Sequence, residues 1–300
     1  MKILIGADFV PTKRNYNDFS NHNLHGLIGE ELCEVFSKAD YRIFNLEMPL
    51  TDNATPISKC GPNLRAPTST ITGYKTAKID LLTLANNHIM DYGIAGLQST
   101  MNVLEKNRIH YVGAGMNLAA AKEAFLIDSS KKIVVYACTE QEFSVTKGDS
   151  PGANPYDSLE TFDEIEALHK NADYIIVLYH GGKEQYRYPS PMLQKRCRKF
   201  VDKGANLVIC QHSHCVGCRE KYNDGEIIYG QGNALFDLQD NEYWNTGILI
   251  LCDTDNHSIE YIPIEKNGPG VRLAKNGATI LKEFYYRSEQ IQNDSFVMEE

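Results

Sequence analysis

The chain has 300 residues, of which 42% are hydrophobic and 23% are charged, and its formal net charge is -9 at pH 7. This composition is typical of an ordinary globular protein and argues against extensive disorder. The acidic balance also argues against sequence-independent binding of nucleic acid, which requires clustered Lys and Arg to neutralise phosphates. The length fits one large layered unit, so we expect a single domain over residues 1–300.

The N-terminal apolar stretch, residues 3–7, ends at Asp8 and is too short for the core of a signal peptide. No later stretch reaches the length of a membrane span. We therefore expect a cytoplasmic protein without an integral membrane segment, in which the eight cysteines stay reduced and are mostly buried apolar residues. Cys215 and Cys218, near Cys210 and two histidines, have the spacing of half a structural zinc site, and this alternative stays open.

Short apolar runs of strand length alternate along the chain with stretches that have helical spacing. The predicted strands are residues 2–7, 41–46, 80–85, 110–113, 132–138, 174–179 and 206–210. The predicted helices are residues 26–39, 94–106, 162–170 and 192–203. Most of the strands are continuous apolar runs, as expected for strands buried on both faces of a sheet. The alternation predicts βαβ units.

From residue 226 onward the pattern changes to pairs of strands. These are predicted at residues 227–229, 247–252 and 259–264, with turn-rich residues at 253–256. They fit the second half of a mixed sandwich. A C-terminal helix and tail begin at about residue 275, with the helix predicted over 278–288 and a frayed tail after it.

Metal-binding or proton-transferring residues end several of the apolar runs. In open α/β sheets the carboxyl ends of the strands form the crevice in which ligands bind, so residues distant in sequence converge there. Five such run-ending residues indicate a site at that edge: Asp8, Glu47, His88, His180 and His212.

Three of these residues also have an ordinary structural interpretation. Asp8 suits a turn or a helix cap, Glu47 suits a solvated loop, and a lone His180 after a buried strand is more often a satisfied core residue. Asp91 is favoured as the N-cap of the next helix. His212 and His214 carry the stronger signal, because alternation along an extended segment places both imidazoles on one side.

Five segments resemble the CapA family of poly-γ-glutamate capsule biosynthesis, within the calcineurin-like metallophosphoesterase superfamily. They are NLEMPLT at 45–51, LANNHIMDYG at 84–93, HGGKE at 180–184, QHSH at 211–214 and YGQGNALFD at 229–237. The resemblance extends from residue 6 to about residue 237. It implies an α/β fold built as a four-layer α/β/β/α sandwich, with helices outside two facing sheets.

The resemblance also implies a site for one or two divalent transition metal ions. One ion would be held by Asp8, Glu47 and His214, and the second by Glu47, Asn87, His180 and His212, so that Glu47 bridges. His88 would be the general acid, oriented by Asp91. Glu184 and Asn233 would bind substrate. Imidazole, carboxylate and amide ligands together suit manganese, iron or zinc.

Three positions depart from the pattern of the family and superfamily. Val10 stands where the superfamily usually has a second histidine, so the first site keeps three protein ligands. Gly181 replaces the usual Trp, and Cys210 replaces a Gly before the paired histidines. A differently shaped pocket is expected.

The resemblance implies a metal-dependent hydrolase that cleaves a phosphoester with metal-activated water. The substrate would be an anionic small molecule or polymer, linked to poly-γ-glutamate or capsule polysaccharide metabolism. Two alternatives are a γ-glutamyl amide hydrolase and a non-catalytic accessory protein that binds poly-γ-glutamate.

Overall fold

A computed structural model describes residues 1–140 and 142–293. The strands are β1 (Lys2–Val10), β2 (Tyr41–Asn45), β3 (Leu81–Thr83), β4 (His110–Val112), β5 (Ala114–Gly115), β6 (Phe125–Asp128), β7 (Lys132–Thr139), β8 (Gly152–Ala153), β9 (Tyr174–His180), β10 (Leu207–Gln211), β11 (Arg219–Tyr222), β12 (Gly225–Ile228), β13 (Asn233–Phe236), β14 (Thr246–Asp253), β15 (Ser258–Asn267) and β16 (Gly270–Leu273). The helices are α1 (Tyr16–Ser20), α2 (Leu24–Ser37), α3 (Ile71–Thr76), α4 (Gly93–Lys106), α5 (Leu118–Lys122), α6 (Thr161–His169), α7 (Pro191–Asp202) and α8 (Gly277–Gln292).

The first sheet has the strand order β16-β15-β14-β1-β2-β3-β4, with β13 paired to β1 off this path. The strands from β1 to β4 run parallel to one another. In the rest of this sheet each strand is antiparallel to its neighbour, in the pairs β1 with β14, β14 with β15, and β15 with β16. One edge of β1 is divided between two partners, since Lys2 to Ile5 pair with β14 and Asp8 to Val10 pair with β13. The C-terminal end of β1 therefore lies between two parallel neighbours, β2 and β13.

The second sheet has the order β11-β12-β10-β9-β7-β6. Its central strands β7, β9, β10 and β12 are parallel. Every residue of β9 is buried, as expected for a central strand covered on both faces.

The two sheets pack face to face, and helices cover their outer faces. Alternation along β1 sends Ile5 into the apolar core between the sheets, where it joins Ile176 and Ile209 of the second sheet. Leu4 points the other way, into a core shared with α2, α3 and α4. On the far side of the second sheet, α6 and α7 pack against Val177 and its neighbours. This layering confirms the predicted four-layer α/β/β/α sandwich.

The predicted strands and the longer helices agree with the structure to within a few residues. The sequence-based prediction missed several short elements, including β6, β11, β13 and β16, because strands of four residues carry too little periodicity to stand out. The C-terminal helix is longer than predicted and reaches Gln292. The frayed tail predicted after residue 288 is therefore wrong for residues 289–292, which continue the helix. The remainder of the predicted tail, residues 294–300, lies outside the described residues. In the described ranges, no helix has the length and apolarity that crossing a membrane requires.

Candidate metal centre

The proposed ligands come together where the carboxyl ends of parallel strands from both sheets meet. Asp8 lies in β1, Glu47 follows β2, Asn87 follows β3, His180 ends β9, and His212 and His214 follow β10. All six residues are buried, and none is more than 9% exposed. The structure thus brings together every residue that the sequence suggested as a metal ligand.

One ligand cluster is built around His180. One ligand atom from each of Glu47, His180 and His212 lies within 4.8 Å of the other two. The His180 Nε2 atom is 3.0 Å from Asn87 Oδ1 and 3.2 Å from Glu47 Oε1. These four residues can hold one divalent ion.

A second cluster joins Asp8, Glu47 and His214, again with ligand atoms within 4.8 Å of one another. The His214 Nδ1 atom is 3.2 Å from Asp8 Oδ2. Glu47 belongs to both clusters, which is the geometry required of a bridging carboxylate. Val10, at the position of the missing histidine, is fully buried in the core on the helix side of the sheet.

Asn45 supports Asp8 and was not identified from the sequence as a site residue. It is paired with Asp8 in the parallel register of β1 and β2, and its Nδ2 donates a 2.6 Å hydrogen bond to Asp8 Oδ1. The Asn45 Oδ1 atom accepts hydrogen bonds from Thr83 and Asn86. Its place at the start of the NLEMPLT segment was the available signal, but only strand pairing shows its partner.

The backbone of the paired histidines differs from the prediction. His212 and His214 were expected on an extended segment, whereas both have left-handed backbone conformations, with φ of 87° and 53°. A left-handed conformation costs a residue with a side chain about 1–2 kcal/mol. The two rings still face one site, with centroids 6.2 Å apart. The turn, rather than strand alternation, brings them together.

Burial and charge give the three histidines different protonation behaviour. Burial lowers the pKa of His180 to about 4 and, together with the nearby imidazoles, lowers the pKa of His212 to about 3. Both rings are therefore neutral at pH 7, the form that binds metal. Burial also acts to lower the pKa of His214, but the carboxylates of Glu47 and Asp8 outweigh it and raise this pKa to about 9.

Glu47 lacks enough positive charge among its neighbours to offset its burial. Burial, followed by the charge of Asp8, raises the pKa of Glu47 well above its usual value. Both Glu47 carboxyl oxygens and the Nδ1 atoms of His180 and His212 are buried without a hydrogen-bond partner. Buried polar groups normally have partners, and buried charges are paired or bind metals. The donor set therefore fits divalent cations.

His88 lies beside the centre and is held by Asp91. The His88 Nδ1 atom is 2.6 Å from Asp91 Oδ2, a distance that fits an Nδ1–H group donating to the carboxylate. The predicted role of Asp91 as an N-cap is wrong. Helix α4 begins at Gly93 after Tyr92, no side chain caps it, and Asp91 instead accepts from His88 and from the Leu64 amide.

Lys59 is a further residue that the sequence did not reveal. Its ammonium group forms an ion pair with Asp91 Oδ1 and lies 3.2 Å from His88 Nδ1. The Lys59 side chain is only 3% exposed. It belongs to the irregular segment between β2 and α3, and a lone lysine in such a segment carries no pattern from which this contact could be predicted.

The two predicted substrate-binding residues have different environments. Glu184 is exposed on the turn after β9, and its charge acts on His212. Asn233 is buried at the start of β13, with Oδ1 2.9 Å from His214 Nδ1. Only Glu184 is placed where it could meet a substrate from solvent.

The cysteines are not assembled into a metal site. Among the described residues, the clusters able to hold an ion contain no cysteine. Cys215 and Cys218 are fully buried, and Cys210 Sγ contacts Cys197 Sγ at 3.4 Å. This arrangement favours the interpretation of ordinary buried packing.

Gly181 leaves room for a neighbouring acid. A Cβ atom at this position would lie 2.5 Å from Glu140 Cγ. Glu140 is held there by the Tyr179 hydroxyl and the Gly182 amide, at 2.7 Å and 3.1 Å. The Glu140 side chain thus occupies space into which a tryptophan at residue 181 would project.

The family described as "Bacterial capsule synthesis protein PGA_cap" matches residues 3–238. The chain belongs to this family. The CapA resemblance is therefore confirmed, and the candidate metal ligands lie within the matched region. Among curated relatives of this capsule synthesis family member, "PGA biosynthesis protein CapA" of Bacillus subtilis (strain 168) is 28% identical over 242 residues, covering 79% of this chain and 60% of the relative.

Other relatives carry related names. "Capsule biosynthesis protein CapA" of Bacillus anthracis is 30% identical over 234 residues, covering 75% of this chain and 57% of the relative. "Probable polyglutamine synthesis accessory protein Rv0574c" of Mycobacterium tuberculosis (strain ATCC 25618 / H37Rv) is 25% identical over 227 residues, covering 70% of this chain and 60% of the relative. The chain thus spans about 60% of the length of these relatives. Among solved structures, the 5'-nucleotidase from Candida albicans SC5314 has a TM-score of 0.48 at 14% identity, covering 89% of this chain and 51% of that one.

Proposed function

We propose that the chain is a metal-dependent hydrolase that cleaves a phosphoester in an anionic small-molecule or polymer substrate. The observation that carries this proposal is that Glu47 is shared by two buried ligand clusters beside the imidazole of His88. When bound, manganese, iron or zinc ions would clamp a phosphate-like group and lower the pKa of the attacking water. Asp8, Glu47 and His214 would hold one ion, and Glu47, Asn87, His180 and His212 the other.

His88 acts in this proposal as the general acid. Its Nδ1–H group donates to Asp91, so the Nε2 atom is left to carry a proton to the leaving oxygen. Asp91 fixes the ring orientation, and Lys59 fixes Asp91 through its other carboxylate oxygen. A positioned general acid contributes typically about 10²–10⁴-fold in rate.

The relatives support a capsule-related substrate. Two of them are named for the biosynthesis of capsule or of PGA, and the substrate proposed here is an anionic group of such a polymer or of its precursors. Glu184, on the exposed turn next to His212, is proposed to contact this substrate.

Hydrolysis of nitrophenyl and alkyl phosphoesters by protein loaded with Mn²⁺ tests the proposal. We expect turnover that a chelator abolishes. His88→Asn should retain its metal content and lose roughly 10²–10⁴-fold in kcat with the alkyl ester, whose leaving oxygen needs a proton, but much less with the nitrophenyl ester. His169→Asn, at an exposed position on α6, is the control. Undiminished alkyl ester hydrolysis by His88→Asn would exclude the acid role.

The name of the mycobacterial relative supports a second candidate, an accessory protein that binds the polymer without cleaving it. Equilibrium binding of poly-γ-glutamate that a chelator abolishes, without hydrolysis of phosphoesters, would select this function. Release of glutamate from the polymer would instead select a γ-glutamyl amide hydrolase.

A further inference from the structure

Asn233 lies against the ligand cluster formed by Asp8, Glu47 and His214. It opens β13 and pairs with Asp8 in parallel register. On its other side the backbone of β14 approaches closely, since a Cβ atom at Gly247 would lie 2.3 Å from the Asn233 carbonyl oxygen. Asn233 is 6% exposed, and its side-chain Nδ2 atom is buried without a hydrogen-bond partner. Strand pairing therefore fixes the position of Asn233, but its side-chain nitrogen makes no hydrogen bond.

The distances around His214 have the spacing of metal ligands. Two ligands about 2.1 Å from one ion and at right angles to each other lie about 3 Å apart. The His214 Nδ1 atom is 2.9 Å from Asn233 Oδ1 and 3.2 Å from Asp8 Oδ2. In the other cluster, Asn87 Oδ1 lies 3.0 Å from His180 Nε2. The amide oxygen of Asn233 thus lies at nearly the same distance from a His214 ring nitrogen as the amide oxygen of Asn87 does from a His180 ring nitrogen.

We propose that Asn233 is an inner-sphere ligand of the first metal site, through Oδ1, together with Asp8, Glu47 and His214. It supplies the fourth protein ligand in a site that has Val10 in place of a second histidine. This inference rests on the metal dependence proposed above, and it replaces the substrate-binding role expected for Asn233. The alternative role, in which Asn233 only accepts a hydrogen bond from a coordinated His214, places its oxygen outside the coordination sphere.

Asn45 provides a matched control, because it flanks Asp8 on the opposite side. Both asparagines are buried and both pair with Asp8 in parallel register. The Asn45 oxygen already accepts two hydrogen bonds, and its nitrogen donates to Asp8. Asn45 therefore has no free oxygen to offer a metal.

Cobalt spectroscopy of Asn233→Cys distinguishes inner-sphere from outer-sphere placement without any measurement of turnover. A thiolate-to-cobalt charge-transfer band in the near ultraviolet arises only when sulfur is bound to the ion. We expect Asn233→Cys to develop this band on addition of Co²⁺, and the wild-type protein and Asn45→Cys to lack it. If Asn233→Cys binds two Co²⁺ ions without the band, the proposal is wrong.

A second measurement uses the wild-type protein, in case the cysteine variant fails to fold. Anomalous scattering from crystals grown with Mn²⁺ should locate an ion with Asn233 Oδ1 at about 2.2 Å, a usual bond length to oxygen. An ion beyond about 3 Å from this oxygen, or a single ion bound only at His180 and His212, would overturn the inference. Protein that binds two ions with this geometry but cleaves no phosphoester would instead count against the proposed hydrolysis alone.

Discussion

The burial of the ion pair between Lys59 and Asp91 predicts how much stability the protein loses when Lys59 is replaced. The two side chains are 3% and 0% exposed, so Lys59→Met leaves a buried carboxylate without its cation. Breaking a buried pair in this way typically costs about 3–5 kcal/mol. The Leu64 amide and His88 still donate to Asp91 Oδ2 at 2.7 Å and 2.6 Å, which favours the lower end of that range. We expect a loss of about 3 kcal/mol in the free energy of unfolding.

Urea unfolding of protein treated with a chelator measures this loss without the contribution of bound metal. Lys75→Met, at an exposed position on α3, is the matched control and should change the free energy by less than about 0.5 kcal/mol. The double variant Lys59→Met, Asp91→Leu should recover much of the stability, because the uncompensated charge is removed. A loss below about 1 kcal/mol in Lys59→Met would refute the reasoning that this pair is buried and mutually dependent.

The remaining predictions concern the metal-free protein, the core and the single tryptophan. His214 has a folded pKa of about 9, above its ordinary value of 6.5, so its contribution to stability is complete below pH 6.5 and lost as the pH rises through 9. Thermal unfolding of chelator-treated protein should show this decline, and His214→Asn should flatten it. Ile209→Ala, between the two sheets, should lose about 2–5 kcal/mol in urea unfolding, and Ile209→Val only about 0.5–1.5 kcal/mol; equal losses would contradict the packing described. Trp244 is the only tryptophan and stacks on His214 at 4.2 Å between ring centroids, so Mn²⁺ binding should change its fluorescence, and unchanged emission at saturating Mn²⁺ would argue against an ion on His214.

Much of the fold and the centre could be predicted because buried parallel strands leave a strong pattern. Runs such as residues 174–179 are apolar throughout, and the residue that follows such a run lies at the ligand-binding edge of the sheet. Asp8, His180 and His212 were identified as candidates by this rule. Glu47 depended on the family motif for its bridging role, and the shared clusters of the structure are consistent with it.

Local sequence patterns gave wrong predictions where the contacts of a residue depend on another segment of the chain. Asp91 stands where an N-cap is expected, but an aspartate can serve either the helix or a neighbouring imidazole, and the choice depends on where His88 and Lys59 lie. The segment containing His212 was read as extended, but it turns through left-handed conformations that the surrounding structure must hold against their strain.

The sequence by itself determined which strands are buried, the order in which they enter the fold, and which side chains stand at their carboxyl ends. These properties depend on hydrophobic periodicity, which is local. Tertiary structure alone decided the partners: Asn45 and Asn233 on the two sides of Asp8, and Lys59 against Asp91. Strand pairing and loop packing join residues far apart in the chain, and the energies that select those pairings arise only when both partners are buried together.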